Sequence, residues 1–164
     1  MPSASAAPLA PATTLLPDVL QFMQLLWAVV HRFETTSKRM SSEMGVTGPQ
    51  RLVLRVVGLF PGVSAGDLAG VLHVHPSTLT GVLQRLVAQR LLRRANDPRD
   101  RRRAVLRLTA RGRRVNATTR GTIEAAVREA LDGATVRDRA ATRRVLERLA
   151  RCLEPPSTSG GTTR

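Results

Sequence analysis

A chain of 164 residues, 42% of them hydrophobic, is long enough to bury one sizeable core. Its formal net charge of +14 points to a polyanionic partner, nucleic acid or an anionic membrane surface, while an aromatic content of 2% argues against single-strand and RNA binders, which stack bases on aromatic side chains. No apolar run approaches the ~20 residues of a membrane span, the lone Cys152 excludes an intrachain disulfide, and the opening MPSASAAPLAPATTLLP lacks the basic and apolar regions of a signal peptide; a cytoplasmic protein is expected.

Residues 1–17, rich in Ala, Pro, Ser and Thr, read as a disordered leader. Asp18 is the expected N-cap of a first helix, in which Val19, Phe22, Met23, Leu26, Trp27, Val30 and Phe33 recur at helical spacing up to a stop at Gly45. This helix is long for one that covers a small domain, and it holds three of the four aromatics, so part of its stripe is expected to line a dimer seam or a ligand cavity. Thr47-Gly48-Pro49 opens a second helix, with Leu52, Val53, Val56, Val57, Leu59 and Phe60 apolar and Pro61-Gly62 as the stop. Ser64 and Asp67 form the capping signal of a short third helix whose Leu68, Val71 and Leu72 should face inward.

His73-Val74-His75 is a turn, and Pro76 begins a fourth helix with Leu79, Val82, Leu83, Leu86 and Val87 as its buried stripe. Short helix, turn, helix is the helix-turn-helix pattern. The exposed N-terminal half of its second helix carries Ser77, Thr78, Thr80 and Gln84, small or polar groups that let a backbone approach base edges in a major groove. His75 stands at the helix start, where it would also meet DNA, and Arg85 one turn on can reach a phosphate.

Leu91-Leu92 and residues 104–108 read as two strands of a hairpin, the second alternating Val105 and Arg107 against Leu106 and Leu108. Asn96 to Arg103 forms the tip, with turn chemistry in Asn96, Asp97 and Pro98. There Asp100 can fix one guanidinium and leave the others of Arg101, Arg102 and Arg103 aimed outward. From Arg85 to Arg114 the chain holds twelve arginines against two acids, a net of +10, which is the density of a phosphate-binding face. Thr109 caps a fifth helix expected to continue to Gly133, and Thr135 caps a sixth that ends at Pro155-Pro156; STSGGTTR closes the chain as a disordered tail.

The segment STLTGVLQRLVAQRLLRRANDPRDRRRAVLRLTARG and the order of elements resemble the multiple antibiotic resistance regulator (MarR) family of winged helix-turn-helix repressors. Asp97-Pro98-x-Asp100-Arg101-Arg102 followed by Leu-x-Leu-Thr-x-x-Gly from Leu106 to Gly112 carries the likeness, which is strong over residues 47–113 and architectural elsewhere. The resemblance implies a homodimer that binds an inverted repeat of double-stranded DNA and blocks transcription. Ser77, Thr78, Thr80 and Gln84 match positions that touch DNA, Arg85 one that holds the backbone, and Asp100 and Arg102 the wing's Asp-x-Arg; Gly81 stands where relatives often carry Arg. The resemblance also implies a small aromatic effector, released DNA, and a pocket formed by Trp27, Val30, His31, Phe33, Leu52 and Arg55.

The expected fold is thus mainly α with a small β-hairpin wing: leader (1–17), N-terminal dimerisation helix (18–45), winged helix-turn-helix (46–110), C-terminal dimerisation helices (111–154) and tail (155–164). No enzyme motif is present: there is no phosphate loop, no Gly-x-Ser-x-Gly and no His–Cys arrangement with supporting context. No cofactor or metal is expected. His73-x-His75 has only Asp67 as a local acid, short of the three or four ligands zinc needs. Cys152, beside Arg151 and a turn from Arg148, is the one candidate for a redox response. The rival class is an architectural, sequence-neutral DNA protein, distinguished by indifference to a palindrome.

Overall fold

The computed structural model describes residues 16–97 and 104–154. In chain order its elements are α1 (Asp18–Met44), α2 (Gly48–Leu59), α3 (Ala65–Leu72), α4 (Pro76–Ala88), β1 (Leu92–Asn96), β2 (Ala104–Leu108), α5 (Ala110–Ala117), α6 (Ile123–Asp132) and α7 (Val136–Cys152). Two compact units divide between Thr118 and Thr119. The expected leader up to residue 15, the Pro155-Pro156 stop and the tail lie outside the described residues.

In the first unit, α1 begins one residue earlier than expected. Pro17 is the N-cap, and Asp18 is the first helical residue, where its charge still complements the helix dipole. Only Met40 of its 27 residues is buried. α2 is held to α1 by the Gly48 N–H, which donates to the Ser37 hydroxyl at 2.8 Å. A reciprocal cap starts α2: the Thr47 hydroxyl accepts from the Gln50 N–H, and Gln50 Oε1 accepts from the Thr47 N–H.

The buried stripe of α2 runs Gln50, Val53, Leu54, Val57, with Arg51 and Val56 beside it. That is helical spacing, and it corrects the expectation for Leu52, Leu59 and Phe60, which are exposed. Leu52 and Leu59 stand seven residues apart and so share the opposite face. In α3 the same correction applies to Val71. Leu68 and Ala69 are buried, Leu72 is partly so, and two turns of helix present only one such side. In α4, Leu79, Leu83 and Leu86 are buried at four- and three-residue steps, while Val82 is partly buried and Val87 lies outside the stripe.

β1 and β2 pair antiparallel, from Leu92 opposite Leu108 to Asn96 opposite Ala104. β1 is therefore longer than the Leu91-Leu92 expected, since backbone pairing carries it through the polar Arg93-Arg94-Ala95-Asn96. Both Val105 and Leu106 are buried, against a strict alternation. The cause is a second neighbour for β2: the Gly62 N–H donates to Leu106 O, the Leu106 N–H donates to Val63 O, and Ser64 bridges Val105. β2 is thus covered on both edges. Leu68, Leu83, Leu86, Leu92 and Leu106 meet α2's Val53 and Leu54 in one core; each such side chain contributes about 1.5–3 kcal/mol on burial.

The expected fifth helix is two. α5 ends because Thr118 is extended, Gly121 takes a left-handed φ of 72°, and Thr122 restarts the chain by accepting from the Ala125 N–H. Capping interactions at Thr118–Thr122 outweigh the weak apolar stripe that ran through them. In the second unit, Thr135 and Asp138 form a reciprocal cap on α7, which ends at Cys152 with Leu153 as its C-cap. No residue of α6 or α7 is fully buried.

Candidate nucleic-acid interface

The turn between α3 and α4 is fixed by its backbone. His73 closes α3 in the left-handed conformation with φ 51°. Its N–H donates to Gly70 O, and the Val74 N–H reaches back to Ala69 O, both at 3.2 Å. His75 then caps α4: its Nδ1 accepts from the Ser77 N–H at 3.3 Å and lies 2.7 Å from the Ser77 hydroxyl. An accepting Nδ1 is unprotonated, which assigns the imidazole a structural task beside any contact with a ligand.

From that cap onward α4 presents one polar face. His75, Ser77, Thr78, Thr80, Gln84 and Arg85 are all exposed, while Leu79, Leu83 and Leu86 on the other side are buried. Thr80 donates its hydroxyl hydrogen to Pro76 O at 2.8 Å and keeps its oxygen as an acceptor. Among the described residues the side chains of Thr78, Gln84 and Arg85 have no hydrogen-bond partner. A Cβ at Gly81 would meet nothing within 4 Å, so the helix surface there is open. The helix thus offers an amide, three hydroxyls and a guanidinium on one side of a rigid support.

The wing residues Asp100, Arg101, Arg102 and Arg103 lie outside the described residues. What the structure places is the stem that carries them. Arg93 and Arg94 are exposed on β1, Arg107 is half-buried on β2, and Arg90 is exposed at the exit of α4. Thr109 locks the stem to the rest: its hydroxyl donates to Arg90 O at 2.6 Å, and its N–H donates to Leu91 O at 3.1 Å.

The residues expected to line an effector pocket are not enclosed. Trp27 is 79% exposed, and Val30, His31, Phe33 and Leu52 are exposed as well. Arg55 is half-buried and donates to Asn116 O and Oδ1 at 3.3 and 3.4 Å. Beside it, Arg51 is only 1% exposed. Sequence reasoning passed over Arg51; the signal was a cation one step from an apolar stripe and one turn from a second cation, Arg55. His73 and His75 are committed to the turn and the cap, and among the described residues no three His, Cys, Asp or Glu side chains form a possible metal site. Cys152 is exposed on α7.

Residues 44–103, which span α2 to the wing, match the model of the MarR family. Over those residues the chain is similar to the MarR family. Over 88 residues it is 34% identical to the HTH-type transcriptional regulator TtmR of Methylorubrum extorquens (strain PA1), a match that spans 54% of this chain and 45% of TtmR, just under half the relative's length. The fold is similar to that of S. aureus MepR in a DNA complex, with a TM-score of 0.69 at 16% identity over 84% of this chain and all of that one. It is also similar to PcaV of Streptomyces coelicolor, solved with its natural ligand, with a TM-score of 0.66 at 25% identity over 87% of this chain and all of PcaV. Among the described residues, seven helices with one two-stranded antiparallel hairpin match the MarR winged-helix architecture.

Proposed function

We propose that this chain is a transcription regulator that binds double-stranded DNA as a two-fold homodimer, with α4 in the major groove and the arginine-rich hairpin on the backbone or in the adjacent minor groove. The observation that carries the reading is the face of α4. Its polar groups stand together, exposed and largely unengaged, on a helix whose other side is fixed in the core. The net +10 between Arg85 and Arg114 supplies the sequence-independent attraction to phosphate.

Dimerisation is supported by apolar groups left uncovered in the chain: Trp27, Val30 and Phe33 on α1, and Val136, Val145 and Leu146 on α7. A two-fold pair would set two copies of α4 about 34 Å apart and select an inverted repeat. Repression follows from the same reading if the operator overlaps a promoter. A small-molecule effector, held near Trp27, Val30, His31, Phe33, Leu52 and Arg55 once a second copy covers them, would regulate it. No helix among the described residues is long and apolar enough to cross a membrane.

The test is selection of bound sequences from random duplex DNA by the purified protein at about 150 mM salt, where nonspecific binding is weakened. An enriched inverted repeat with half-sites one turn apart is the expected result. Tight binding with no enrichment would replace the regulator with a sequence-neutral architectural protein.

A further inference from the structure

Three arginines converge away from α4. Arg93 on β1, Arg107 on β2 and Arg113 on α5 line one cavity of about 210 Å³, whose apolar wall includes Val57, Pro61 and Leu108. Arg93 and Arg107 are directly opposed in the hairpin register, so their side chains leave the sheet on the same face. The Arg107 guanidinium lies along the Gly62 turn, 3.8 Å from where a Cβ on that glycine would stand. Arg113 is held in place, its Nη1 donating to Leu108 O at 3.3 Å.

This arrangement is unfavourable as it stands. Like charges directly opposite on a sheet repel, and a third cation is fixed beside them. Among the described residues neither the Arg93 nor the Arg107 side chain has a hydrogen-bond or ion-pair partner, and no Asp or Glu lines the cavity. An oxyanion resolves the conflict, because guanidinium forks present paired N–H donors matched to carboxylate and phosphate oxygens. The hollow is below the ~300 Å³ at which drug-sized ligand pockets begin, so it suits a single anionic group rather than a large ligand.

We propose that the foot of the hairpin is an oxyanion site in which Arg93, Arg107 and Arg113 together hold one carboxylate or phosphate group. The site is distinct from the polar face of α4 and from the exposed face of α1. The anion belongs either to a small free acid or to a nucleic-acid backbone, and in both cases it ties β1, β2 and α5 together at the base of the wing.

The experiment has two arms. In the first, inorganic phosphate and then benzoate are titrated into the protein alone, at constant ionic strength set with chloride, while the arginine Nε–H resonances are followed by NMR. Saturable shifts are expected at Arg93, Arg107 and Arg113. Arg107→Gln should weaken the apparent affinity about tenfold, the loss of one charge-assisted hydrogen bond. Arg94→Gln makes the same charge change on the opposite face of β1 and should leave it within about twofold, the scale of a screened surface charge. Far-UV circular dichroism confirms that each variant is folded.

The second arm rests on the DNA-binding reading and measures duplex affinity against salt. If free anions do not saturate the site, yet Arg93→Gln and Arg107→Gln each lower the slope of log K against log salt by about 0.9 and Arg148→Gln, exposed on α7, does not, the anion is a backbone phosphate. The proposal is overturned if neither arm responds, or if Arg94→Gln matches Arg107→Gln in the first arm. Should the wild-type protein fail to bind duplex DNA at all, the functional reading falls while the first arm still decides the oxyanion site.

Discussion

Arg51, in the middle of α2, donates through Nη1 to the carbonyl of Val115, 64 residues along the chain near the end of α5. The same guanidinium reaches Asn116 O and Thr118 O through Nη2. Helices leave their last carbonyls without intrahelical partners, and the end of the dipole there is negative. A buried cation answers both needs at once. It joins α2, which carries the core of the first unit, to the last residues before the division at Thr118 and Thr119.

Arg51→Met keeps most of the volume and removes the donors. Thr118 O then loses the Arg51 donor, while Val115 O keeps the Thr118 N–H and Asn116 O keeps Arg55 Nη1; the loss of a charged donor at this partly exposed helix end should cost about 1–2 kcal/mol. Arg51→Lys keeps the charge but replaces a planar fork by a point donor and should lose about half as much. Urea denaturation of the three proteins checks the order wild type, Lys, Met. Equal stability of Arg51→Met and wild type would remove the clamp from this account.

Gly112 is required by proximity. A Cβ there would stand 2.0 Å from Leu91 O, a backbone atom that cannot rotate away. Gly112→Ala must push α5 off the stem of the hairpin and should destabilise by about 3 kcal/mol, the upper range for overpacking. The thermal midpoint measures it, and Gly133→Ala, where a Cβ meets nothing within 4 Å, is the control.

On α4, contact type predicts the kind of loss. Arg85→Ala should weaken binding to every duplex alike and lower the salt slope by about 0.9. Gln84→Ala and Thr78→Ala should change which bases are preferred, by about 1–3 kcal/mol at the affected position. His75→Ala removes the cap of α4 and should cost about 1 kcal/mol of stability even without DNA. Competition binding against a palindrome and its single-base variants, with urea denaturation for His75→Ala, separates the three effects. A uniform loss for Gln84→Ala would place it on the backbone instead.

The elements of the first unit were legible because their signals are local. Thr47, Ser64, Pro76 and Thr109 announce helix starts by side-chain chemistry that needs no tertiary context. The polar face of α4 was legible for the same reason. Three features were not. Burial of Val105 depends on the Gly62–Ser64 segment, far back in the sequence, lying along β2. The break after α5 depends partly on Arg51 accepting the role of a cap from another helix. The triad of Arg93, Arg107 and Arg113 is dispersed in sequence and meets only through strand register and the placement of α5.

The exposed apolar faces give the last prediction. Trp27 at 79% exposure and Val136 at 82% are large side chains in water, and their helices carry further apolar neighbours within one or two turns. Patches of that kind on a protein surface mark an interface. Because these groups bury little within the chain, changing them should leave the fold of a single copy intact while abolishing its pairing. Trp27→Glu on α1 and Leu146→Glu on α7 test the two units separately. Sedimentation equilibrium is expected to give a dimer for the wild type and monomers for both variants, each with an unchanged far-UV spectrum. Duplex binding should fall with the dimer, since one copy of α4 contacts only a half-site and loses the gain of a linked second contact, ordinarily about 10²–10⁴-fold. A wild-type monomer that still selects an inverted repeat would refute the pairing, and would leave the apolar faces of α1 and α7 to a different protein.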